Sequence, residues 1–304
     1  MEPNRVAVVG SLVSDLVVWV DHLPRKGESQ VVNRWERHLG GKGFNQAVTA
    51  RRCGAMVTLI GRAGDDEMAD QFLEKLDSEH IDAFVGRDAE AGTGMAMPMI
   101  LPSGDNSIVL LPRANMALRP EHVSEVGDVI RDANTLLLQL EVPVETSIRA
   151  AEIAREVGTM VIFNPAPARD GISALIALSD WVIPNETEAA AIAGLEVKDV
   201  ETAFLAAERI LAMGARRGVI VTLGDKGCAV VTPQERWHQL AFVVDAVDPT
   251  GAGDAFCGAF AVALTHSARS AVRFGAAAGA LAVTRVGAEP SLPFGGDVRQ
   301  LERR

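Results

Sequence analysis

The sequence predicts an α/β protein: a doubly wound, mainly parallel sheet with helices on both faces, carrying a second, smaller β-sheet. Three observations lead there. From Pro120 onward, helix-like and apolar strand-like runs alternate with little between them. The first such strand, Val6–Gly10 (VAVVG), is continuously apolar, as a strand buried on both faces must be. Between Val17 and Leu111, by contrast, lie short, partly alternating runs separated by turn residues, which fit a sheet outside the main body. With 304 residues, 48% of them hydrophobic, the chain has core enough for one large domain over 1–304. Segments 16–38 and 94–112 are expected to form the small sheet inserted in it.

Taken in order, Val6–Gly10 is followed by Ser11–Asp15, which puts the Asp15 carboxylate just past a strand end, where open α/β sheets bind ligands. Val17–Val20, Ser29–Glu36, Gly94–Leu101 and Asn106–Leu111 read as the strands of the small sheet, mostly antiparallel, with turns at Leu23-Pro24, Lys26-Gly27 and Ser103–Asn106. Pro98 calls for an edge or a bulge. Gly40–Asn45 (GGKGFN) opens a helix, Phe44–Cys53, and Val57–Ile60 is the next strand. Acidic residues at 65–67 start a helix that ends near Leu76, placed as the helix dipole prefers. The regular part then runs helix Glu121–Arg131, strand Thr135–Leu140, helix Val144–Val157, strand Thr159–Phe163, helix Ile172–Leu178, strand Trp181–Pro184, helix Glu201–Met213 and strand Gly218–Leu223. Thr222–Gly227 (TLGDKG) is a tight turn into one more strand. Two small-residue helices, Ala255–Leu264 and Ala268–Val283, an irregular stretch Arg285–Ser291 and a polar helix end, Asp297–Arg304, complete the chain.

Composition excludes several functions. A net charge of -11 argues against nucleic-acid binding, which needs a basic footprint. No apolar run approaches the roughly 20 residues that span a bilayer, and the N-terminus lacks a signal-like apolar stretch, so a soluble cytoplasmic protein is expected. Cys53, Cys228 and Cys257 are far apart and are expected to be reduced. The histidines form no metal-ligand pair.

The chemistry is concentrated in Asp248–Asp254, DPTGAGD, ahead of an apolar helix. Gly251 and Gly253 allow a tight turn, and the unpaired first amides of the helix make a seat for an anion such as a phosphoryl group. A fixed carboxylate at that seat, Asp254, has a use as the base that takes a proton from an attacking hydroxyl. Its alternative role is that of a helix cap. In GGKGFN, Lys42 is followed by Gly43 rather than Ser or Thr, so this is no nucleotide P-loop. Its glycines and Asn45 suit a polyhydroxylated ligand, or simply a helix start. Glu141 and Asn185 follow strands on the ligand-bearing edge. In Asn185-Glu186-Thr187-Glu188 the acids either cap a helix or hold Mg²⁺ through water. Thr222–Gly227 is either a plain hairpin turn or, near the anion seat, a place that receives phosphates through Thr222 and free amides. A dinucleotide-dependent oxidoreductase is disfavoured, because Gly10 is followed by SLVSD and not by the glycine fingerprint.

The combination GGKGFNQA, NPAPAR (164–169), PNETE (184–188), TLGDKG and DPTGAGDAFCGAF, in that order, resembles the ribokinase-like (pfkB) carbohydrate kinases, nearest to their bacterial ribokinase branch, from about Val6 to Pro293. The resemblance implies ATP, Mg²⁺ and a monovalent cation (K⁺) as cofactors. It makes Asp254 the base and Gly251, Ala252 and Gly253 the anion hole. Asp15, Gly41, Lys42, Asn45 and Glu141 become sugar contacts. Asn185 and Glu188 would organise Mg²⁺ and phosphate, with Glu188 acting through water, and Thr222, Gly224 and Gly227 would form the ATP loop. It assigns the monovalent cation to Asp248, Thr250, Ala282, Arg285, Gly287 and Ser291, largely through backbone carbonyls. The small sheet becomes a lid and a homodimer interface. The implied reaction is phosphorylation of the primary hydroxyl of a pentose, ribose first. Two departures bear on the acceptor. Ribokinases commonly read S-I-N-x-D where this chain has Ser11-Leu12-Val13-Ser14-Asp15, so Val13 replaces a sugar-contacting asparagine, and Phe44 replaces a smaller residue. They leave another sugar, a sugar acid or a nucleoside as alternative acceptors, with a non-catalytic sugar-binding regulator as the alternative from another class.

Overall fold

The computed structural model describes residues 4–103, 106–264 and 267–303; the predicted turn at Gly104-Asp105 and the terminal Arg304 lie outside them. Thirteen strands are present among the described residues: β1 Arg5–Val9, β2 Val13–Trp19, β3 Trp35–Gly40, β4 Met56–Gly64, β5 Asp82–Asp88, β6 Gly94–Ile100, β7 Asn106–Leu111, β8 Thr135–Leu138, β9 Met160–Phe163, β10 Trp181–Val182, β11 Gly218–Thr222, β12 Cys228–Val231 and β13 Arg236–Gln239. Nine of them form the main sheet, in the order β13-β12-β11-β10-β9-β8-β1-β4-β5. Every pairing from β5 to β11 is parallel, and only β12 and β13 are added antiparallel. The strands β1 and β8 to β11 are apolar on both faces because helices cover both.

The helices are α1 Lys42–Arg52, α2 Glu67–Ser78, α3 Pro120–Glu125, α4 Gly127–Arg131, α5 Val144–Val157, α6 Ser173–Leu178, α7 Glu186–Ala193, α8 Val200–Ala212, α9 Ala252–Ala263, α10 Ala268–Ala282 and α11 Gly295–Glu302. One hydrophobic core joins α1, α2, α9, α10 and α11 to one face of the sheet, around Phe44, Phe72, Phe256 and Phe260. The other joins α5, α6 and α8 to the opposite face, around Leu136, Phe163 and Ile176. The predicted layering is therefore present.

The small sheet has the order β3-β2-β6-β7, with β2 and β6 parallel and the outer pairs antiparallel. Its composition differs from the expectation in two places. Ser29–Asn33 is not a strand; the pairing instead uses Trp35–Gly40, so the first glycine of GGKG ends a strand rather than a loop. And β2 begins at Val13, which takes Asp15 out of a loop and into a strand. The edge strands β5 and β13 were not legible, since both are short of apolar residues on their open side. The helix after GGKG starts at Lys42, two residues earlier than expected, and the last helix starts at Gly295.

Helices α1 and α9 touch at Gly258, where a β-carbon would lie 2.6 Å from the Gln46 carbonyl oxygen and 3.0 Å from the Ala50 nitrogen. Both are backbone atoms with little freedom to retreat. Gly258→Ala is expected to cost about 1–3 kcal/mol, read as a lowered midpoint of urea unfolding. An unchanged midpoint would contradict the close approach of these helices.

Candidate active site

The site forms where the N-termini of α1, α7 and α9 converge on the carboxyl ends of the strands. At α9 the chain turns through Gly251, whose φ of 80° is left-handed. The Ala252 N–H is drawn back to the Pro249 carbonyl at 3.3 Å, and helical bonding begins with Ala255 N–H to Gly251 O at 2.8 Å. Of the three residues expected to form the anion hole, Ala252 thus has its amide already engaged. Gly251 and Gly253 line a cavity of ≈ 280 Å³, together with Lys42, Asn185, Glu188 and Asp254. Thr222 and Gly224 complete its far wall.

Asp254 is 7% exposed, and its two oxygens are held separately. Asn45 donates to Oδ2 at 2.9 Å and Gln46 to Oδ1 at 3.1 Å. Gln46 in turn accepts from Gln139 at 2.7 Å, and its amide also reaches Asn164 Oδ1 at 3.3 Å. This chain of buried amides fixes the carboxylate against rotation. The Gln46, Gln139 and Asn164 contributions were not anticipated. A signal existed: Gln139 is the polar residue inside the apolar run Thr135–Leu140, and a polar group in a doubly covered strand needs a partner. Asp254 is not the cap of its helix; that position belongs to Gly251. Burial raises the Asp254 pKa, opposed by Lys42 and by the two amide donors.

The predicted sugar contacts lie beside it. Gly41 is the cap of α1, with φ 92°. The backbone N–H of Lys42 donates to Glu141 Oε2 at 2.9 Å, and Ser11 Oγ donates to the same oxygen at 2.5 Å. Burial opposes the charge on Lys42, but the carboxylates of Asp254, Glu141 and Glu188 more than offset it and raise its pKa. Asp15 is pushed up to about 7, first by burial and then by Glu141 and Asp254, with Lys42 pulling the other way. Asn45 Oδ1 is buried without a partner among the described residues.

Asn185 and Glu188 form a reciprocal capping box on α7: Glu188 N–H donates to Asn185 Oδ1 at 2.8 Å, and Asn185 N–H to Glu188 Oε2 at 2.9 Å. The two roles weighed for them are compatible, because both residues also line the cavity. A parallel bridge joins Asn185 to Thr222 and brings α7 and the TLGDKG turn side by side. Gly227 is not on the cavity wall. Its φ is 88°, and a β-carbon there would lie 2.0 Å from the Gln239 carbonyl oxygen, so its glycine serves the approach of the segment after β13. Phe44 is wholly buried and packs edge-on against Phe72 at 5.0 Å, which makes it a core residue and removes it from the pocket. Val13 is buried in β2.

Of the residues expected around a monovalent cation, Asp248 organises the loop: its Oδ1 accepts from Thr250 N–H at 2.9 Å and Thr250 Oγ1 at 2.6 Å, and its Oδ2 from Gly287 N–H at 2.8 Å. Ser291 Oγ donates to the Ala288 carbonyl at 2.8 Å. Ala282 ends α10, and Arg285 and Ser291 border a separate cavity of ≈ 200 Å³ against α11. The three cysteines are buried and unpaired. Burial pushes Cys53 and Cys228 up to about 12, and Cys257, on the cavity floor, well above the ordinary thiol range.

Fold and site together define a phosphotransferase of the ribokinase fold. The chain belongs to the pfkB family of carbohydrate kinases, which it matches over residues 3–294, and it is a sugar kinase. It is 36% identical over 303 residues to a ribokinase of Staphylococcus aureus, covering 98% of this chain and 99% of that one. It is 34% identical over 292 residues to a deoxyribokinase of Salmonella typhi, covering 95% of each. Among solved structures, the Arabidopsis thaliana ribokinase complexed with ribose and ATP superposes with a TM-score of 0.91 at 32% identity, covering 100% of both chains. Among the described residues no helix is long and apolar enough to cross a membrane.

Proposed function

We propose that this kinase transfers the γ-phosphoryl group of ATP to the primary hydroxyl of a pentose, with ribose as acceptor and ribose 5-phosphate as product. The observation that carries the proposal is the Asp254 carboxylate, buried and gripped by Asn45 and Gln46 at the first turn of α9. Asp254 accepts the proton of the attacking hydroxyl. The first-turn amides of α9, Gly253 foremost, stabilise charge on the moving phosphoryl, and the rest is positioning. Asp15, Glu141 and Asn45 hold the sugar hydroxyls; the unpartnered Asn45 Oδ1 suits a hydroxyl donor. Lys42 balances the carboxylates so that a neutral sugar and an anionic phosphate meet in one place.

Thr222, Gly224 and Asn185 are assigned to the nucleotide. The donor set fits Mg²⁺: among the described residues no group of three acidic or imidazole side chains could cage a metal, and Mg²⁺ is ordinarily held by phosphates and water with one or two carboxylates, here Glu188. Bound there, Mg²⁺ would neutralise phosphate charge. The monovalent cation, K⁺, is assigned to the backbone carbonyls around Asp248, Thr250, Ala282, Arg285, Gly287 and Ser291. The small sheet acts as a lid and, through its exposed Trp35 (59%) and Ile108 (59%), as a homodimer interface. Buried, unpaired cysteines suit a cytoplasmic protein.

Val13 favours a second reading, in which the same chemistry acts on a different acceptor. An apolar side chain in place of an amide removes a hydrogen bond to the sugar, typically a tenfold or greater effect. ADP release from ATP with Mg²⁺ and K⁺ is measured across ribose, deoxyribose, other pentoses, hexoses and nucleosides. The expected result is the highest kcat/KM with ribose. A higher value for another acceptor replaces ribose but keeps the mechanism, and no release with any acceptor overturns the proposal.

A further inference from the structure

We propose that His38 is a positioning residue that transmits sugar binding at the small sheet to the phosphoryl-binding turn. It lies outside every motif described above. In the β2–β3 pairing His38 stands directly opposite Asp15, the carboxylate assigned to the sugar. Its ring lies against Gly287: a β-carbon on that glycine would meet three atoms of the imidazole at 3.4–3.5 Å. From Gly287 the connection is by hydrogen bonds. The Gly287 N–H donates to Asp248 Oδ2 at 2.8 Å, and Asp248 Oδ1 accepts from Thr250 N–H at 2.9 Å and Oγ1 at 2.6 Å, one residue before Gly251. Ala288 approaches the same turn, with its Cα 3.5 Å from where a β-carbon of Gly251 would be.

The far side of this segment is fixed. The Arg52 guanidinium, at the end of α1, donates to the carbonyls of Glu289 at 3.1 Å and Leu292 at 2.9 Å, and pairs with the Glu79 and Glu289 carboxylates. Burial opposes the Arg52 charge, and those carboxylates restore it, so its pKa is raised. The Gly287–Leu292 segment is therefore clamped to the main body by Arg52 and touched from the small sheet by His38. A sugar bound to Asp15 fixes β2, and β3 with it because the two strands are hydrogen-bonded, and so holds His38 on Gly287. Sugar and nucleotide affinities then depend on each other reciprocally.

The inference rests on the sugar-kinase reading of the site and is tested apart from it. The Kd of a non-hydrolysable ATP analogue with Mg²⁺ is measured by calorimetry, with and without the saturating acceptor sugar, for the wild type, His38→Ala and His38→Gln. The expected results are a sugar-induced tightening of about 5-fold or more in the wild type, its loss in His38→Ala, and partial retention in His38→Gln, which keeps a planar group against Gly287. Without sugar, all three should bind the analogue within about 2-fold of one another. Undiminished coupling in His38→Ala overturns the proposal, as does a wild type without coupling. An equal loss of nucleotide affinity with and without sugar also overturns it, since that is what a merely structural residue gives. His38→Gln carries the test alone if the alanine variant does not fold. A wild type that phosphorylates no sugar defeats the assigned function instead, and is seen separately in the ADP assay.

Discussion

Asp254→Asn is expected to lower kcat by roughly 10²–10⁴-fold, the range a positioned general base supplies, while leaving a folded protein that still binds sugar. The fold is expected to survive because the substitution is isosteric and its surroundings adapt. Asp254 accepts one amide from Asn45 and one from Gln46. An Asn at 254 presents one donor in place of an acceptor, and rotation of the Asn45 amide meets it with Asn45 Oδ1, which has no partner in the native arrangement. Charge works in both directions. Burial raises the Asp254 pKa, so its ionised form costs stability that a neutral side chain recovers, whereas Lys42 loses one of the three carboxylates that hold its charge. A Tm within a few degrees of the wild type is expected, together with a KM for sugar within about 10-fold. Steady-state ADP release and a thermal melt check both parts. Near-normal turnover would remove Asp254 from the role of base.

Asp15→Asn should separate function from stability in the opposite sense. Its carboxyl is held at about 7, above the ordinary 3.8, by burial first and then by Glu141 and Asp254. The folded state therefore binds this proton more tightly than the unfolded chain does. Stability from this group is complete below pH 3.8 and is lost as pH rises through 7. At pH 8 the ionised Asp15 costs up to about 4 kcal/mol, which the neutral amide recovers. Urea unfolding should find Asp15→Asn more stable than the wild type at pH 8, with the advantage fading as the pH falls toward 4. If Asp15 holds the sugar as proposed, the same substitution removes a charged acceptor worth about 1.5–3 kcal/mol, so kcat/KM for sugar should fall by roughly 10-fold or more. In the wild type, kcat/KM should lose activity on the acid side near pH 7, a limb that belongs to Asp15 together with the neighbouring Asp254. A variant no more stable at pH 8 than at pH 4.5, relative to the wild type, would contradict this account of Asp15.

The residues that read clearly from sequence are those whose chemistry demands particular types at short spacing. Gly251, Gly253 and Asp254 lie within four positions, and the capping pair Asn185 and Glu188 within one helical turn. The parallel sheet was legible because burial on both faces leaves unbroken apolar runs. What was not legible depends on which distant strands pair. The bridge of Asn185 to Thr222 and the reach of Gln46 to Asp254 span separations no local pattern encodes. The small sheet was misplaced at β3 because Ser29–Glu36 carries the same alternating signal as a strand, yet Val31 is 90% exposed and the pairing with β2 starts only at Trp35. Phe44 looked like a pocket residue from its neighbours in GGKGFN. On a helix, however, adjacent residues face different ways, and its ring turns toward Phe72.

The central claim, phosphoryl transfer to a primary hydroxyl of a pentose, is tested most directly by proton-coupled phosphorus NMR of the product formed from ribose, ATP and Mg²⁺. A phosphate ester on a CH₂ carbon couples to both of its protons, and the account predicts a triplet from ribose 5-phosphate growing in step with ADP. A doublet would place the phosphate on an anomeric or secondary oxygen. ADP that grows with inorganic phosphate and no ester signal would mean that water is the acceptor. Either result would contradict the assignment of Asp254 and its neighbours to a primary sugar hydroxyl.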